Sequence, residues 1–249
     1  MNDSPRLRIV IIGATSSIAE HCARIWVRSR VDIVLVGRSI SRLVEIADDL
    51  RVRSPSSSVT IREADFHDPS KISALARDLM GATPIDIVLI AHGSLPDQQA
   101  CQGSLEMIKE AVDTNAISPV LFAEAFAGLM AQRGVGAIGI IGSVAGDRGR
   151  KTNYVYGAAK GMVERYVQGL QHRLARSAVR VCLIKPGPTA TPMTSHLPPQ
   201  GLADPAAVAA RIVNAIGRGT PVVYVPGKWW LIMMVIRHLP RAVFNKLNI

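Results

Sequence analysis

A phenol and an ammonium stand four residues apart in Tyr156-Gly157-Ala158-Ala159-Lys160, the separation that sets two side chains beside each other on one face of a helix. A phenol of pKa about 10 gives up its proton reluctantly near neutrality, and a neighbouring cation helps by stabilising the phenolate. Such a pair can protonate the oxygen of a ketone as hydride reaches its carbon, or take the proton of an alcohol in reverse. Ser143, upstream, can hold the same oxygen by a hydrogen bond. The neighbouring phenol, Tyr154, has Ala158 at the matching position and lacks the cation. A Tyr-x-x-x-Lys pair alone is also common on helix surfaces, so its chemistry depends on whether the chain brings a hydride donor beside it.

The segment Gly13-Ala14-Thr15-Ser16-Ser17-Ile18-Ala19 follows an apolar run and opens a helical pattern. A tight turn there aims backbone N–H groups at a pyrophosphate, the first requirement of a dinucleotide site. Ser17 and Ala19 stand where the full fingerprint has further glycines; small residues still allow a close approach, though less freely. At the end of the second apolar run, Gly37-Arg38-Ser39 presents a cation where an acid would select NAD, and Arg42 follows one turn later. Arg38 and Arg42 therefore favour a 2′-phosphate, and NADPH over NADH. Asp65 and Phe66 after the third run are placed to flank the adenine, and Ala91, His92 and Gly93 after the fourth to line the cofactor. Taken singly, the same residues also fit an ordinary strand–helix turn and a solvated arginine pair.

These groups converge only if strands end where the motifs begin. β-Branched apolar runs at 7–12, 32–36, 59–62, 85–90, 137–141, 179–184 and 222–225 alternate with helical patterns, the first two at 18–29 and 40–52. That is βαβα order, and it predicts an α/β, Rossmann-type doubly wound sheet of about seven parallel strands, with helices on both faces and a crevice at the carboxyl ends. Of 249 residues, 48% are hydrophobic and 4% aromatic, which suits parallel strands buried under Val, Ile, Leu and Ala. The length fits one domain, 1–227, followed by a basic tail, 228–249. The stretch 188–201, with its Pro and Thr residues, reads as a mobile lid or loop, and the Ser-rich 54–58 as a short turn. The polar start, 1–5, and the short first apolar run carry no export signal. Cys22, Cys101 and Cys182 are odd in number and widely spaced, which argues against a disulfide framework or a metal site and for the cytoplasm.

Gly13 with its turn, Ala91-His92-Gly93, Asn115, Ser143, Tyr156, Lys160 and Pro186-Gly187 occur in the order and at roughly the spacing of the short-chain dehydrogenase/reductase family, which the chain resembles over nearly its whole length. The resemblance implies an NAD(P)-dependent oxidoreductase acting on CH–OH groups. It assigns Thr15, Ser16, Ser17 and Ile18 to the phosphate turn, and to Asn115 the anchoring of a water relay to Lys160. Lys160 would also hold the nicotinamide ribose, with Pro186, Gly187 and Thr191 at the nicotinamide end. His92 departs from the pattern, which usually has Asn or Ala there.

The formal charge of +10 is unevenly spread: no acidic residue follows Asp204, whereas Arg211, Arg218, Lys228, Arg237, Arg241 and Lys246 do. The run 229–236, Trp-Trp-Leu-Ile-Met-Met-Val-Ile, is too short to cross a bilayer, which takes about 20 residues. As a helix, it would gather Met233, Ile236, Pro240, Val243, Phe244 and Leu247 on one side and Arg237, Arg241, Asn245 and Asn248 on the other, with Pro240 dividing it in two. Such a helix suits a membrane interface; the alternative is a tail packed on its own domain or on a sister subunit of a homo-oligomer. Nucleic acid is not the expected partner, because the basic residues are not interleaved with stacking aromatics.

Residues 230–249, 156–160 and 186–197 resemble, more narrowly, the decaprenylphosphoryl-2-keto-pentose reductases. That likeness implies a lipid-linked keto-sugar as substrate, met on the cytoplasmic face of the membrane in the second half of a ribose-to-arabinose epimerisation. It also implies a flavin-dependent oxidase as functional partner. A ketoreductase for a free acyl chain or other small carbonyl compound, and a non-catalytic nicotinamide-binding scaffold, remain alternatives.

Overall fold

The apolar runs become the strands β1 Arg8–Ile12, β2 Asp32–Gly37, β3 Ser58–Glu63, β4 Ile87–Ile90, β5 Val135–Ile141, β6 Ala178–Pro186 and β7 Val222–Val225. In this computed structural model, which describes residues 6–247, they form one sheet in the order β3-β2-β1-β4-β5-β6-β7, parallel throughout. The expected polar start, 1–5, and the last two residues of the expected tail lie outside the described residues. Alternation along each strand supplies two cores. Ile9 and Ile11 of β1 pack under helices α1 (Ser17–Trp26), α2 (Ile40–Arg53) and α8 (Pro205–Arg218). Val10 and Ile12 pack under α3 (Pro69–Ala82), α6 (Ser118–Arg133) and α7 (Tyr154–Arg173) on the other face. Right-handed crossovers that reverse direction between β1 and β4 place a switch point there, which opens a crevice above the carboxyl ends of both strands.

Between β4 and α6 come α4 (Gln98–Gly103) and α5 (Leu105–Val112), and α5 runs into α6 through a π-helical turn, Asp113–Ile117. The helical run Leu105–Arg133 is long and apolar enough to span a bilayer, yet Phe122, Phe126 and Met130 are fully buried against the sheet. It is a core helix. The wide turn breaks the phase of the run, and Asn115 within it is fully buried.

The stretch 188–201 is strapped at its base. Ala190 N–H donates to Ala203 O at 2.9 Å and Ala203 N–H to Pro188 O at 2.9 Å, and Thr191 and Thr194 close a reciprocal cap around the short turn Pro192–Thr194. Backbone pairing thus anchors the segment expected to be a mobile lid or loop. The three cysteines are free and buried.

Pro240 divides the tail as expected, into α9 (Lys228–His238) and α10 (Arg241–Phe244). Its orientation differs from the expectation. Met233 is fully buried and Ile236 and Phe244 are half-buried, so part of the apolar stripe assigned to a membrane packs on the domain instead. Periodicity shows that a face needs covering, not what covers it. The Trp229 indole lies over Gly187, and Arg148 Nη1 donates to Leu239 O at 2.8 Å and to Ile236 O while its guanidinium stacks 3.7 Å from the centre of the Phe244 ring. Trp230, Leu231, Ile232, Met234 and Val235 remain exposed on another side of α9.

Beneath the carboxyl edge lies a buried ion cluster. The Lys185 ammonium, 1% exposed, pairs with Asp147 and, at 2.8 Å, with Glu164, while Tyr224 donates its phenolic hydrogen to Asp147 at 2.8 Å. Removing one member strands opposite charges in a dry site. Lys185→Met is therefore expected to cost about 3–5 kcal/mol in chemical denaturation; a loss below about 1 kcal/mol, the worth of an exposed pair, would contradict this reading.

Candidate active site

The carboxyl ends of β1, β2, β4, β5 and β6 surround a cavity of about 760 Å³, within the range of small-ligand sites. Its wall includes Gly13, Thr15, Ser16, Ser17, Ile18, Arg38, Arg42, Phe66, Ala91, His92, Gly93, Ser143, Tyr156, Lys160, Pro186, Gly187 and Thr191. Two expected residues stand apart from it. Asn115 is buried behind the wall. The Asp65 carboxylate turns to its own loop, accepting from His67 N–H at 2.9 Å and pairing with Lys71 at 3.1 Å. Those contacts hold the carboxyl below its ordinary pKa, the His67 N–H foremost, so its side chain fixes the turn after β3 rather than lining the cavity.

One end of the cavity is built for anions. Gly13, at φ +77°, makes the turn after β1, and a β-carbon there would fall 2.6 Å from the His92 backbone nitrogen; only glycine combines that conformation with that approach. The turn is closed by Gly13 N–H and Ala14 N–H donating to Val36 O at 2.9 and 3.0 Å. Ser16 occupies the N-cap of α1 without a side-chain cap bond, so N–H groups at a positive helix end are left for a ligand. Ala19, where a glycine was expected, is fully buried in the core beneath the turn; its methyl is accommodated. Arg38 and Arg42 make no hydrogen bond or ion pair among the described residues and project into the same space.

His92 is packed edge-on against Phe66 and Phe122, with centroids 4.7 and 5.6 Å away, and shares a hydrogen bond of 2.8 Å with the Ser118 hydroxyl. Burial first, then Lys160, Arg38 and His67, pull its pKa down to about 3. The imidazole is neutral and serves as wall.

At the other end, α7 carries Tyr156 and Lys160, and the loop after β5 carries Ser143. The Lys160 ammonium is 5.8 Å from the centre of the Tyr156 ring and donates to Ile141 O at 3.1 Å. Burial pushes the Tyr156 phenol above its ordinary pKa, with a hydrogen bond from Ser143 opposing it. Desolvation is the leading influence on the phenol in the protein alone. Burial also brings Lys160 down to about 8. Such a phenol is a proton donor at neutral pH. Asn115 Oδ1 accepts from Ser94 N–H at 2.9 Å, and Nδ2 donates to Ala111 O at 2.9 Å. A β-carbon on Gly93 would lie 2.9 Å from Asn115 Oδ1 and 3.6 Å from Lys160 Nζ, so the amide and the ammonium face each other across that glycine.

The cavity also includes residues that spacing did not single out: Leu95, Arg150, Asn153, Thr189, Met193 and Leu197. Arg150 and Asn153 lie between Ser143 and Tyr156, and that position was the one signal available. The wall formed by the described residues contains no carboxylate.

Residues 8–201 match the model of the short chain dehydrogenase family. The chain is 30% identical over 249 residues to an uncharacterized oxidoreductase of Mycobacterium tuberculosis, covering 99% of each, and 29% identical over 245 residues to an uncharacterized oxidoreductase of Streptomyces coelicolor, covering 98% of this chain and 96% of that one. Among solved structures, a short-chain dehydrogenase from Sphingobium yanoikuyae in complex with NADPH superposes with a TM-score of 0.79 at 25% identity, covering 95% of this chain and 97% of that one. An actinorhodin polyketide ketoreductase with NADPH gives 0.81 at 22% identity, covering 92% and 99%.

The two shifts set a pH dependence. Tyr156 keeps its proton through neutrality, and Lys160, charged below about 8, loses its proton above that. The phenolate left by proton donation then has no cation beside it. Carbonyl reduction is expected to hold up to about pH 8 and fall as pH rises further, read as kcat/KM against pH; a profile flat to pH 10 would contradict it.

Proposed function

The chain belongs to the short chain dehydrogenase family and is an NAD(P)-dependent oxidoreductase, and from that premise we propose that it uses NADPH to reduce the 2-keto group of a polyprenyl-phosphate-linked pentose. The observation that carries the reaction is a single cavity with Tyr156, Ser143 and Lys160 at one end and an uncapped helix N-terminus with two unpaired arginines at the other. A phosphorylated dinucleotide fits that second end: Gly13 leaves room for a pyrophosphate at α1, and Arg38 and Arg42 suit a 2′-phosphate. The two similar solved structures that hold NADPH support the same choice.

When bound, the cofactor supplies the hydride. Ser143 donates a hydrogen bond to the substrate carbonyl oxygen and holds it beside Tyr156. Tyr156 gives that oxygen its phenolic proton, so the ketone gains one hydride and one proton and leaves as the alcohol. Lys160 stabilises the phenolate that remains, and Asn115, fixed by Ser94 and Ala111, anchors the path that returns a proton through Lys160. Pro186, Gly187 and Thr191 form the wall at the nicotinamide end.

Support for the lipid-linked keto-sugar comes from the likeness of the tail and of the 186–197 loop to reductases of that class. A flavin-dependent oxidase, removing hydride from the corresponding alcohol, would supply the ketone. The apolar wall residues Leu95, Met193 and Leu197 favour, as the second reading, a ketoreductase for free acyl chains. A synthetic polyprenyl-phosphate 2-keto-pentose with NADPH is expected to turn over, and Tyr156→Phe to lower kcat by 10³-fold or more, on the order of a lost general acid, while NADPH still binds. Turnover of acyl ketones but not of the keto-sugar lipid would favour the second reading, and activity retained in Tyr156→Phe would defeat both. NADPH binding with no turnover of either would leave the scaffold.

We further propose that the exposed side of α9 rests on an anionic membrane. Trp230, Leu231, Ile232, Met234 and Val235 are exposed together, with Lys228 and Arg237 exposed on the same helix, the make-up of an interfacial helix. The protein is expected to float with vesicles of anionic lipid in a salt-sensitive manner, and Leu231→Glu with Val235→Glu to remain at the bottom. Flotation unchanged by that pair, or an exposed side covered by a sister subunit in solution, would refute it.

A further inference from the structure

The loop between Ser143 and Tyr156 carries two arginines with opposite fates. Arg148 is fully engaged by the tail, donating to the carbonyls that end α9 and stacking on Phe244. Arg150 turns into the cavity, where its Nε is buried and has no hydrogen-bond partner. No ion pair reaches its guanidinium among the described residues. Asp147 is the acid whose field it feels, but burial outweighs that field, and Asp147 is itself committed to Lys185 and Tyr224. Asn153, three residues on, repeats the pattern: it stands at the N-cap of α7 without capping it, and its Oδ1 is buried and unpartnered in the same wall.

An arginine stays charged at any working pH, and a largely buried charge needs a counter-ion. Among the described residues this wall has no carboxylate, so the counter-ion has to arrive with a ligand. The anions of the cofactor are met elsewhere. In the sheet β1 and β4 lie between β2, which Arg38 follows, and β5, which leads into the loop of Ser143 and Arg150; at about 4.8 Å per strand the ends of β2 and β5 are about 14 Å apart. Arg150 stands instead on the side of Ser143 and Tyr156, where the carbonyl is held.

We propose that Arg150 is a specificity-determining residue that takes an oxyanion of the substrate, a phosphate ester close to the carbonyl, while Asn153 Oδ1 accepts a hydroxyl of the same molecule. A guanidinium fork matches a phosphate through two parallel hydrogen bonds. The inference rests on this cavity being a ketone reductase site and names the class of ketone it selects: a phosphorylated, hydroxylated one.

Binding and turnover separate the two claims. With NADPH saturating, so that Arg38 and Arg42 are occupied, calorimetric titration with glycerol 1-phosphate is expected to show binding that Arg150→Met weakens on the order of 100-fold and Arg150→Lys partly restores. In turnover, the ratio of kcat/KM for dihydroxyacetone phosphate over dihydroxyacetone is expected to fall towards one in Arg150→Met, with the loss in KM. The polyprenyl phosphodiester keto-pentose, run alongside, tells a lipid headgroup from a free phosphate ester: a ratio lost on the diester alone assigns Arg150 to the headgroup. Equal or absent phosphate binding in the wild type and Arg150→Met, or a fall in NADPH affinity in that variant, would overturn the proposal. Phosphate bound through Arg150 without reduction of any ketone would defeat the reductase reading and leave Arg150 an anion site with no role in choosing a ketone, which overturns the proposal; keto-pentose turnover untouched by Arg150→Met would overturn the proposal and keep the reductase reading.

Discussion

The ammonium of Lys185 lies at the end of β6, one residue before Pro186, with almost no access to water. A lysine in that position must be compensated by charge or lose its proton, and the two carboxylates that compensate it come from different parts of the chain. Asp147 belongs to the loop that starts at Ser143, and Glu164 stands one helical turn beyond Lys160 on α7. Tyr224 of β7 completes the set through Asp147. One buried cation therefore ties together the serine loop, the tyrosine helix and the strand that ends at the Pro186–Gly187 wall of the cavity. The three pieces of the reacting end cannot shift independently without leaving a charge unpaired, which is how a site assembled from distant segments holds sub-ångström geometry.

Above that cluster the electrostatics run one way. Arg38, Arg42, Lys160 and Arg150 face a cavity whose wall, among the described residues, offers no carboxylate, and burial together with the fields of Lys160 and Arg38 keeps His92 neutral. A pocket so arranged attracts anions, and its cations stand at both ends. The phenol itself sits where desolvation dominates: its proton is held tightly in the protein alone, which suits the proton donor proposed for it. Lys160, moved to about 8 by the same burial, is the member of the pair that titrates near the working range.

Strands and catalytic spacing were legible in the sequence for a simple reason. Each is a local pattern: parallel strands buried on both faces need uninterrupted β-branched runs, and an i, i+4 pair on a helix is fixed by helix geometry alone. Asn115 was legible only through resemblance, because a π-helical turn leaves no periodic trace and its inward aim comes from that turn. The Asp65 carboxylate accepts from a backbone N–H two residues away, a local competition that a strand-end position does not reveal. Arg148, Arg150 and Arg8 are the same letter in the sequence; one holds the tail, one faces the cavity unpaired, and one donates to Leu79 O at 2.7 Å. Which fate each meets is decided by tertiary neighbours.

The tail shows how the outer surface is joined to the chemistry. Trp229 lies over Gly187 at the cavity wall, so this glycine is held as small by the tail as by any ligand. Arg148 fastens the end of α9 to the Ser143 loop from the opposite side, and Asp147, its chain neighbour, is already locked into the Lys185 cluster. Displacing α9 would thus disturb the loop and the wall together. A helix that grips the domain on one side and leaves Trp230, Leu231, Met234 and Val235 exposed on another can settle on a surface without being pulled away from the site. The apolar cover expected of a core-packed tail and the exposed side expected of an interfacial one are then compatible, since they belong to different sides of one short helix whose position sets how the cavity faces whatever α9 rests upon.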